Sequence, residues 1–169
     1  MGWLRQLLDA IARAIAAWLV RCIPSFQPAA WNDNNGIQFN NNCYNYGCDK
    51  QTGTFAQPGR GSGHMYTAID CAEVGNGARS DGLVTVDCDR GCGCSDCHHQ
   101  VALVIWPGVD FHWYRRDRDG KWSHKPGSTA ARNTDNSGNL ITDPRTANRG
   151  PYTIFCGCYC VKKSAVTIN

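Results

Sequence analysis

The sequence lacks any long apolar run. No stretch of 18 uncharged apolar residues occurs among its 169 residues, so no membrane-spanning helix is predicted. An Asn-x-Ser/Thr acceptor for N-glycosylation is also missing, which is neutral for a bacterial source and mildly against a eukaryotic secretory one. Neither sign of charge is in large excess: the net charge is +3, and Arg115, Arg116 and Arg118 are interleaved with Asp117 and Asp119. Because nucleic-acid binding needs a concentrated basic patch, nucleic acid is not an expected partner.

Cysteine, by contrast, is abundant, with 11 residues. Such a content favours either disulfides in an oxidising compartment or a zinc site. We therefore expect a secreted or extracytoplasmic protein, or a cytoplasmic one if the cysteines bind zinc. Because eleven is odd, a framework made of disulfides alone leaves at least one thiol over, and Cys43 is a candidate for it.

Residues 3–22 have the apolar spacing of an amphipathic helix, which Pro24 ends. The apolar positions are Leu4, Leu7, Leu8, Ile11, Ile15, Trp18, Leu19 and Cys22. Three interpretations stay open: a helix packed on the core or on a partner protein, a helix lying on a membrane surface, and a secretory signal removed with residues 1–30. The predicted organisation is an N-terminal helix at 1–23, a linker loop at 24–42 and one cysteine-rich domain at 43–169.

The remainder of the chain predicts helices followed by an antiparallel sheet, which is an α+β fold. Short helices are expected at 43–48, with Asn42 as the N-cap, and at 64–74, with Gly75 as the stop. Apolar runs with strand periodicity then predict strands at 83–87, 101–106, 111–116, 121–124 and 152–161. Arg118-Asp119-Gly120 is typical of a tight hairpin turn, and the polar composition of 126–150 indicates a long surface loop.

A compact cluster of thiols and imidazoles lies in the middle of the chain. Its members are Cys88, Cys92, Cys94, Cys97, His98 and His99. Such ligands suit a structural tetrahedral zinc, and Cys-x-x-Cys is the usual knuckle spacing. The competing interpretation is disulfides between this cluster and Cys156, Cys158 and Cys160, whose i, i+2, i+4 spacing predicts three thiols on one face of a strand. Neither interpretation requires any other cofactor.

The candidate catalytic residues are Cys43, His112 and His124. A thiol nucleophile needs a base for its proton and a third group that orients the base. Cys43 opens a predicted helix, whose N-terminal partial charge lowers the pKa of a thiol. His112 and His124 are expected side by side across a hairpin, and His99 is the alternative base. In the competing structural interpretation, Cys43 is half of a disulfide, and His112 is a buried residue whose ring nitrogens have hydrogen-bond partners.

An early cysteine at a helix start, a histidine on a strand and a polar residue about a dozen positions later resemble the NlpC/P60 superfamily of papain-like thiol hydrolases and transferases. The resemblance covers roughly residues 41–125 and is architectural, since Asn42-Cys43-Tyr44 replaces the family's usual Asp-Cys-Ser. It implies a papain-like fold with an extra N-terminal helix. It further implies a cysteine hydrolase that cleaves an amide bond in a peptide or peptidoglycan substrate, with Cys43 as nucleophile, His112 as base and His124 as orienting group. The alternative hypothesis is a non-catalytic, disulfide- or zinc-stabilised binding or toxin-like module.

Overall fold

Five antiparallel strands form the sheet around which the rest of the chain is arranged. The computed structural model describes residues 2–33, 35–92 and 97–169, with the side chains of 15–22 excepted. The helices are α1 (Gly2–Cys22), α2 (Ile37–Asn40), α3 (Cys43–Gly47) and α4 (Cys71–Ser80), and a 3₁₀ turn covers Pro28–Ala30. The strands are β1 (Val84–Val86), β2 (His98–Trp106), β3 (Asp110–Arg116), β4 (Trp122–His124) and β5 (Ile154–Lys162). Their order in the sheet is β1-β5-β2-β3-β4, so the predicted α+β class is confirmed.

The central strand β2 is buried on both faces, as its continuous apolar sequence predicts. It pairs with β3 on one side and with β5 on the other. Leu103 and its alternate neighbours pack with the helices in one cluster, whereas Ala102 and Val104 pack with Trp122 in a second cluster on the opposite face. The predicted hairpin turn joins β3 to β4, and the Gly120 amide there donates to the Asp117 carbonyl at 2.9 Å. The sheet therefore separates two buried layers.

The predicted helix at 64–74 is wrong in its position, because α4 begins only at Cys71. The Asp70 side chain accepts the Glu73 amide and so caps the helix at that point. Gly75 does not stop the helix but lies inside it. An added Cβ at Gly75 would come within 2.5 Å of the Tyr159 hydroxyl, and one at Gly77 within 2.7 Å of a backbone oxygen. These glycines permit close packing against α4 rather than its end.

A β-bulge in β5 changes where its cysteines point. Leu103 of β2 pairs with Gly157 while the next residue pairs with Phe155, so Cys156 is the extra residue. Gly157 has a φ of 129°, which favours glycine. As a result Cys156 packs on the helical side of the sheet, whereas Cys158 belongs to the cluster on the other side. The prediction that all three C-terminal thiols share one face is therefore wrong.

The chain is helical where the spacing of residues 3–22 predicts a helix, since α1 covers Gly2–Cys22. Residues 2–14 of this helix are all exposed. Its end is held on the body by Arg118, whose guanidinium donates to the Ile23 carbonyl and whose amide donates to the Pro24 carbonyl. Among the described residues, no helix is sufficiently long and apolar to span a membrane.

Candidate functional site

Cys43 occupies the first position of α3 because the residues around it, Asn42 and Asn45, cap the start of this helix. The Asn42 side chain accepts the amides of Tyr44 and Asn45, and the Asn45 side chain accepts the Asn42 amide in return. This reciprocal arrangement is a capping box. It fixes the Cys43 thiol against β3, where Sγ lies 4.0 Å from the carbonyl oxygen of Phe111.

His112 and His124 lie on adjacent strands, and their imidazoles are hydrogen-bonded. The Nε2 atom of His112 is 2.8 Å from Nδ1 of His124, so the predicted proximity of these two residues is observed. The other nitrogen of His124, Nε2, lies 3.1 Å from Nε of Arg132 and 3.0 Å from the carbonyl oxygen of Thr134. The loop that follows β4 therefore positions the His124 imidazole, which in turn positions that of His112.

Cys43 and His112 border the same cavity of about 270 Å³. Its walls combine aromatic side chains, among them Tyr66, Phe111 and Tyr152, with polar ones such as Asp110. The Tyr152 hydroxyl donates to the Asp110 carboxylate at 2.7 Å. The thiol of Cys43 and the imidazole of His112 thus line one cavity together with aromatic side chains.

Burial dominates the protonation states of the thiol and the imidazoles. It raises the pKa of Cys43 to about 12, and this outweighs the lowering by the backbone of Trp113 and by the backbone amides at the start of α3. Burial also lowers the pKa of His112 well below its usual value, with a further lowering from His124 and Arg132. The pKa of His124 falls to about 4 for the same main reason. At neutral pH the thiol and both imidazoles are uncharged, so the expected helix-lowered pKa of Cys43 is not observed.

The alternative base, His99, lies at the other end of α3. Its Nε2 atom is 2.7 Å from the carbonyl oxygen of Gly47, and burial lowers its pKa to about 4. His99 borders a separate cavity of about 320 Å³, together with Cys92 and Arg116. The structure therefore places Cys43 and His112 on one cavity, with His124 hydrogen-bonded to His112, and places His99 elsewhere.

The cysteine cluster forms disulfides. Cys88 bonds to Cys158 and Cys92 to Cys160, and Cys97 is disulfide-bonded as well. The remaining zinc candidate, Cys94, lies outside the described residues. A further bond joins Cys71 to Cys156. Over the described parts of the chain, no group of three or more potential metal ligands is found, and Cys43 and Cys48 are the free thiols.

The sequence patterns gave no indication of two cationic side chains, Lys125 and Arg115, that the structure buries. Lys125 is fully buried, and its ammonium donates to the carbonyls of Gln38, Asn41 and Gly127. Burial lowers the pKa of Lys125 to about 8. Arg115 is 1% exposed and pairs with Asp117 at 2.9 Å. Alternating charges usually indicate a solvated strand face, and the strand period alone gave no signal that this arginine is enclosed.

Neither a protein-family model nor a solved structure matches the chain. A curated protein does match: the insoluble matrix shell protein 1 of Ruditapes philippinarum is 52% identical over 137 residues, which cover 80% of this chain and 88% of the relative. The chain belongs to the insoluble matrix shell protein 1 family. Identity at this level over most of both chains implies a shared fold.

Membership of the insoluble matrix shell protein 1 family overturns the prediction of a cysteine hydrolase acting through Cys43, His112 and His124. The relative is named as a protein of an insoluble shell matrix. The protonation states agree with that correction, since a thiol with a pKa of about 12 beside a neutral imidazole supplies no thiolate at neutral pH. The papain-like fold and the NlpC/P60 resemblance stay predictions.

Proposed function

We propose that this chain is a secreted, non-catalytic structural protein of an extracellular shell matrix. The observation that carries the proposal is the 52% identity to a protein named for an insoluble shell matrix, over 88% of that protein's length. It corresponds to the non-catalytic, disulfide-stabilised alternative rather than to the hydrolase hypothesis.

The disulfides support a location outside the cell. Three described bonds join cysteines that are 85, 70 and 68 residues apart in sequence. Disulfides of this kind persist in oxidising environments and are rare in the cytosol. They also tie β5 covalently to α4 and to the segment that follows β1, which suits a durable structural protein.

The buried cysteine and histidines support a structural role for the Cys43 region. Cys43 is 5% exposed and His112 is 4% exposed, and the aromatic contacts around them are those of a packed layer. The ring centroid of His112 lies 5.0 Å from that of Tyr114 and 5.4 Å from that of Tyr152. In this role the His112–His124 hydrogen bond joins β3 to β4.

The matrix location is tested by proteomics on the organism that makes this chain. Its extracellular matrix is extracted first with buffer and then with denaturant, and each fraction is digested without reduction. We expect the chain in the insoluble residue, with the Cys71 and Cys156 peptides still linked. Recovery of the chain only from cells, with both cysteines reduced, would overturn the proposal.

The absence of catalysis is tested separately with the oxidised recombinant chain on peptide amide substrates. Wild type and Cys43→Ala are expected to give the same background hydrolysis. Cys48→Ala is the matched control, because Cys48 is also a buried free thiol. Turnover that disappears in Cys43→Ala and persists in Cys48→Ala would contradict a non-catalytic role.

A further inference from the structure

The described half of α1 carries an apolar stripe that the body of the protein does not cover. The stripe consists of Trp3, Leu4, Leu7, Leu8 and Ile11, which are 71, 52, 48, 58 and 47% exposed. Apolar side chains that recur on one helical face are normally buried against something. Here the helix is joined to the body by its C-terminal end, so the stripe is free along residues 2–14.

We propose that this stripe is a self-association surface that pairs with the same stripe on a second copy of the chain. Its spacing favours helix pairing. Leu4, Leu8 and Ile11 stand four and three residues apart, and the same interval continues in the sequence at Ile15 and Trp18. An alternation of three and four is the a/d pattern by which two helices interlock along a narrow seam.

The area of the stripe fits an interface between two copies. An aromatic side chain has a surface of about 150–250 Å², and an aliphatic one has somewhat less. With one tryptophan mostly exposed and four aliphatic side chains about half exposed, the stripe leaves on the order of 500 Å² uncovered on each copy. Pairing two stripes would then bury about 1,000 Å², which is the lower bound for a specific protein–protein interface. Formation of such a contact would cover the apolar stripe of residues 2–14.

The opposite face of α1 argues against a lipid surface as the partner. Over residues 2–14 it carries Arg5 and Arg13 against Asp9, which gives a net charge of +1. Asp9 and Arg13 are four residues apart, with the acid nearer the N-terminus, which is the spacing of an intrahelical ion pair. Stable attachment to anionic lipid by charge takes a cluster of about four or more cations, so a second copy is the better match.

Sedimentation equilibrium of the full oxidised chain tests this surface at micromolar concentrations. Wild type is expected at twice the monomer mass of 18.6 kDa. The double variant Leu8→Asp/Ile11→Asp places two carboxylates in the seam and should weaken the association at least tenfold. Circular dichroism and disulfide mapping of the variant establish that the body is folded, which its exposed positions lead us to expect.

The matched control is Gly2→Asp/Gln6→Asp, which adds the same two charges at exposed positions on the opposite face of α1. This control should remain dimeric. A monomeric wild type would overturn the proposal, as would a dimer that both double variants weaken equally. Wild type that is monomeric and floats with vesicles of phosphatidylcholine and phosphatidylglycerol would replace the second copy by a membrane.

This inference stands apart from the matrix role. A chain that is monomeric in solution would still be a matrix protein if it is recovered from the insoluble matrix residue. A dimer found only inside cells would retain the pairing surface and lose the matrix role. The two experiments therefore fail independently.

Discussion

Cys43 shows how burial governs the chemistry of a single residue in this protein. The start of α3 offers backbone amides that stabilise a thiolate, yet the side chain is 5% exposed and its pKa is raised to about 12. Loss of water costs the thiolate more than the short helix returns. The thiol therefore behaves as a small apolar group in the helical layer.

We expect native Cys43 to resist alkylation by iodoacetamide between about pH 6 and 9, because the thiolate is the reactive form. Mass-spectrometric mapping of adducts over time checks this. Cys48, whose pKa is also raised by burial, should be protected in the same way, and both should label rapidly once the chain is unfolded in urea. Fast labelling of native Cys43 at pH 7 would show that the thiol is accessible and ionised.

Arg115 is the second residue whose enclosure has a measurable consequence. Its guanidinium donates to Asp117 and the Tyr46 hydroxyl, and it stacks 4.0 Å from the centre of the Tyr46 ring. Arg115→Met leaves the Asp117 carboxylate buried without its partner, which should cost about 3–5 kcal/mol of unfolding free energy. Urea denaturation measures this loss.

The control for Arg115 is Arg145→Met. Arg145 also forms an ion pair, with Asp143 at 2.7 Å, but it is 43% exposed. Water compensates an exposed guanidinium, so this substitution should change the unfolding free energy far less. Equal losses of unfolding free energy in the two variants would show that the Asp117 carboxylate is not left buried and unpaired when Arg115 is replaced.

At the scale of elements, β5 connects the two layers of the fold. Its bulge turns Cys156 towards α4 and leaves Cys158 on the opposite side, where it bonds to Cys88. The same strand also pairs with β1 and β2. Covalent bonds and backbone hydrogen bonds thus meet on one strand.

Removal of one of these bonds should destabilise the protein strongly. We expect Cys88→Ala/Cys158→Ala to lose about 2–5 kcal/mol of unfolding free energy, because the bond restricts the unfolded chain over a long loop. Urea denaturation under oxidising conditions measures it. Cys43→Ala/Cys48→Ala removes the same number of sulfur atoms without breaking a bond and should lose less; a larger loss in that control would contradict the argument.

At the scale of the whole molecule, the buried histidines make stability depend on pH. Burial lowers the pKa of His99 and of His124 from 6.5 to about 4. The unfolded chain then binds more protons than the folded one between these values. Stability is fully present above about pH 6.5 and declines as the pH falls towards 4. Asp117 acts in the opposite direction, because burial raises its pKa.

Urea midpoints measured from pH 4.5 to 7.5 should therefore be level at the upper end and fall below pH 6.5. Each of the two histidines should contribute about 2.5 kcal/mol of the loss at pH 4.5, given 1.36 kcal/mol per unit of pKa. His99→Gln should flatten the decline, since glutamine does not titrate. A midpoint that stays constant down to pH 4.5 would mean that neither imidazole resists protonation.

Local sequence patterns predicted much of this architecture. Apolar spacing located α1, the continuous apolar run located β2, and Asn42 before Cys43 marked the start of α3. Alternation along the hairpin also predicted that His112 and His124 would be neighbours. Each of these features depends on residues close in sequence, where a period or a capping side chain carries the information.

Features that depend on distant packing were not predictable in this way. The continuation of α4 through Gly75 required knowing that this glycine admits the Tyr159 hydroxyl from a strand far along the chain. The partner of Cys156 depended on a bulge, for which Gly157 was the one local signal. The sequence placed Cys43 near His112 but carried no measure of its burial, and that burial separates a reactive thiol from a structural one.

The bond between Cys71 and Cys156 has a consequence for the protein under mechanical load. Tension applied on either side of these two residues passes through the sulfur atoms rather than through the chain between them. Without the bond, the segment between them, with a sequence separation of 85 residues, would lengthen to about 290 Å when fully extended. Even with the sheet pulled apart, the part of the chain between Cys71 and Cys156 therefore adds no length beyond the span of that bond.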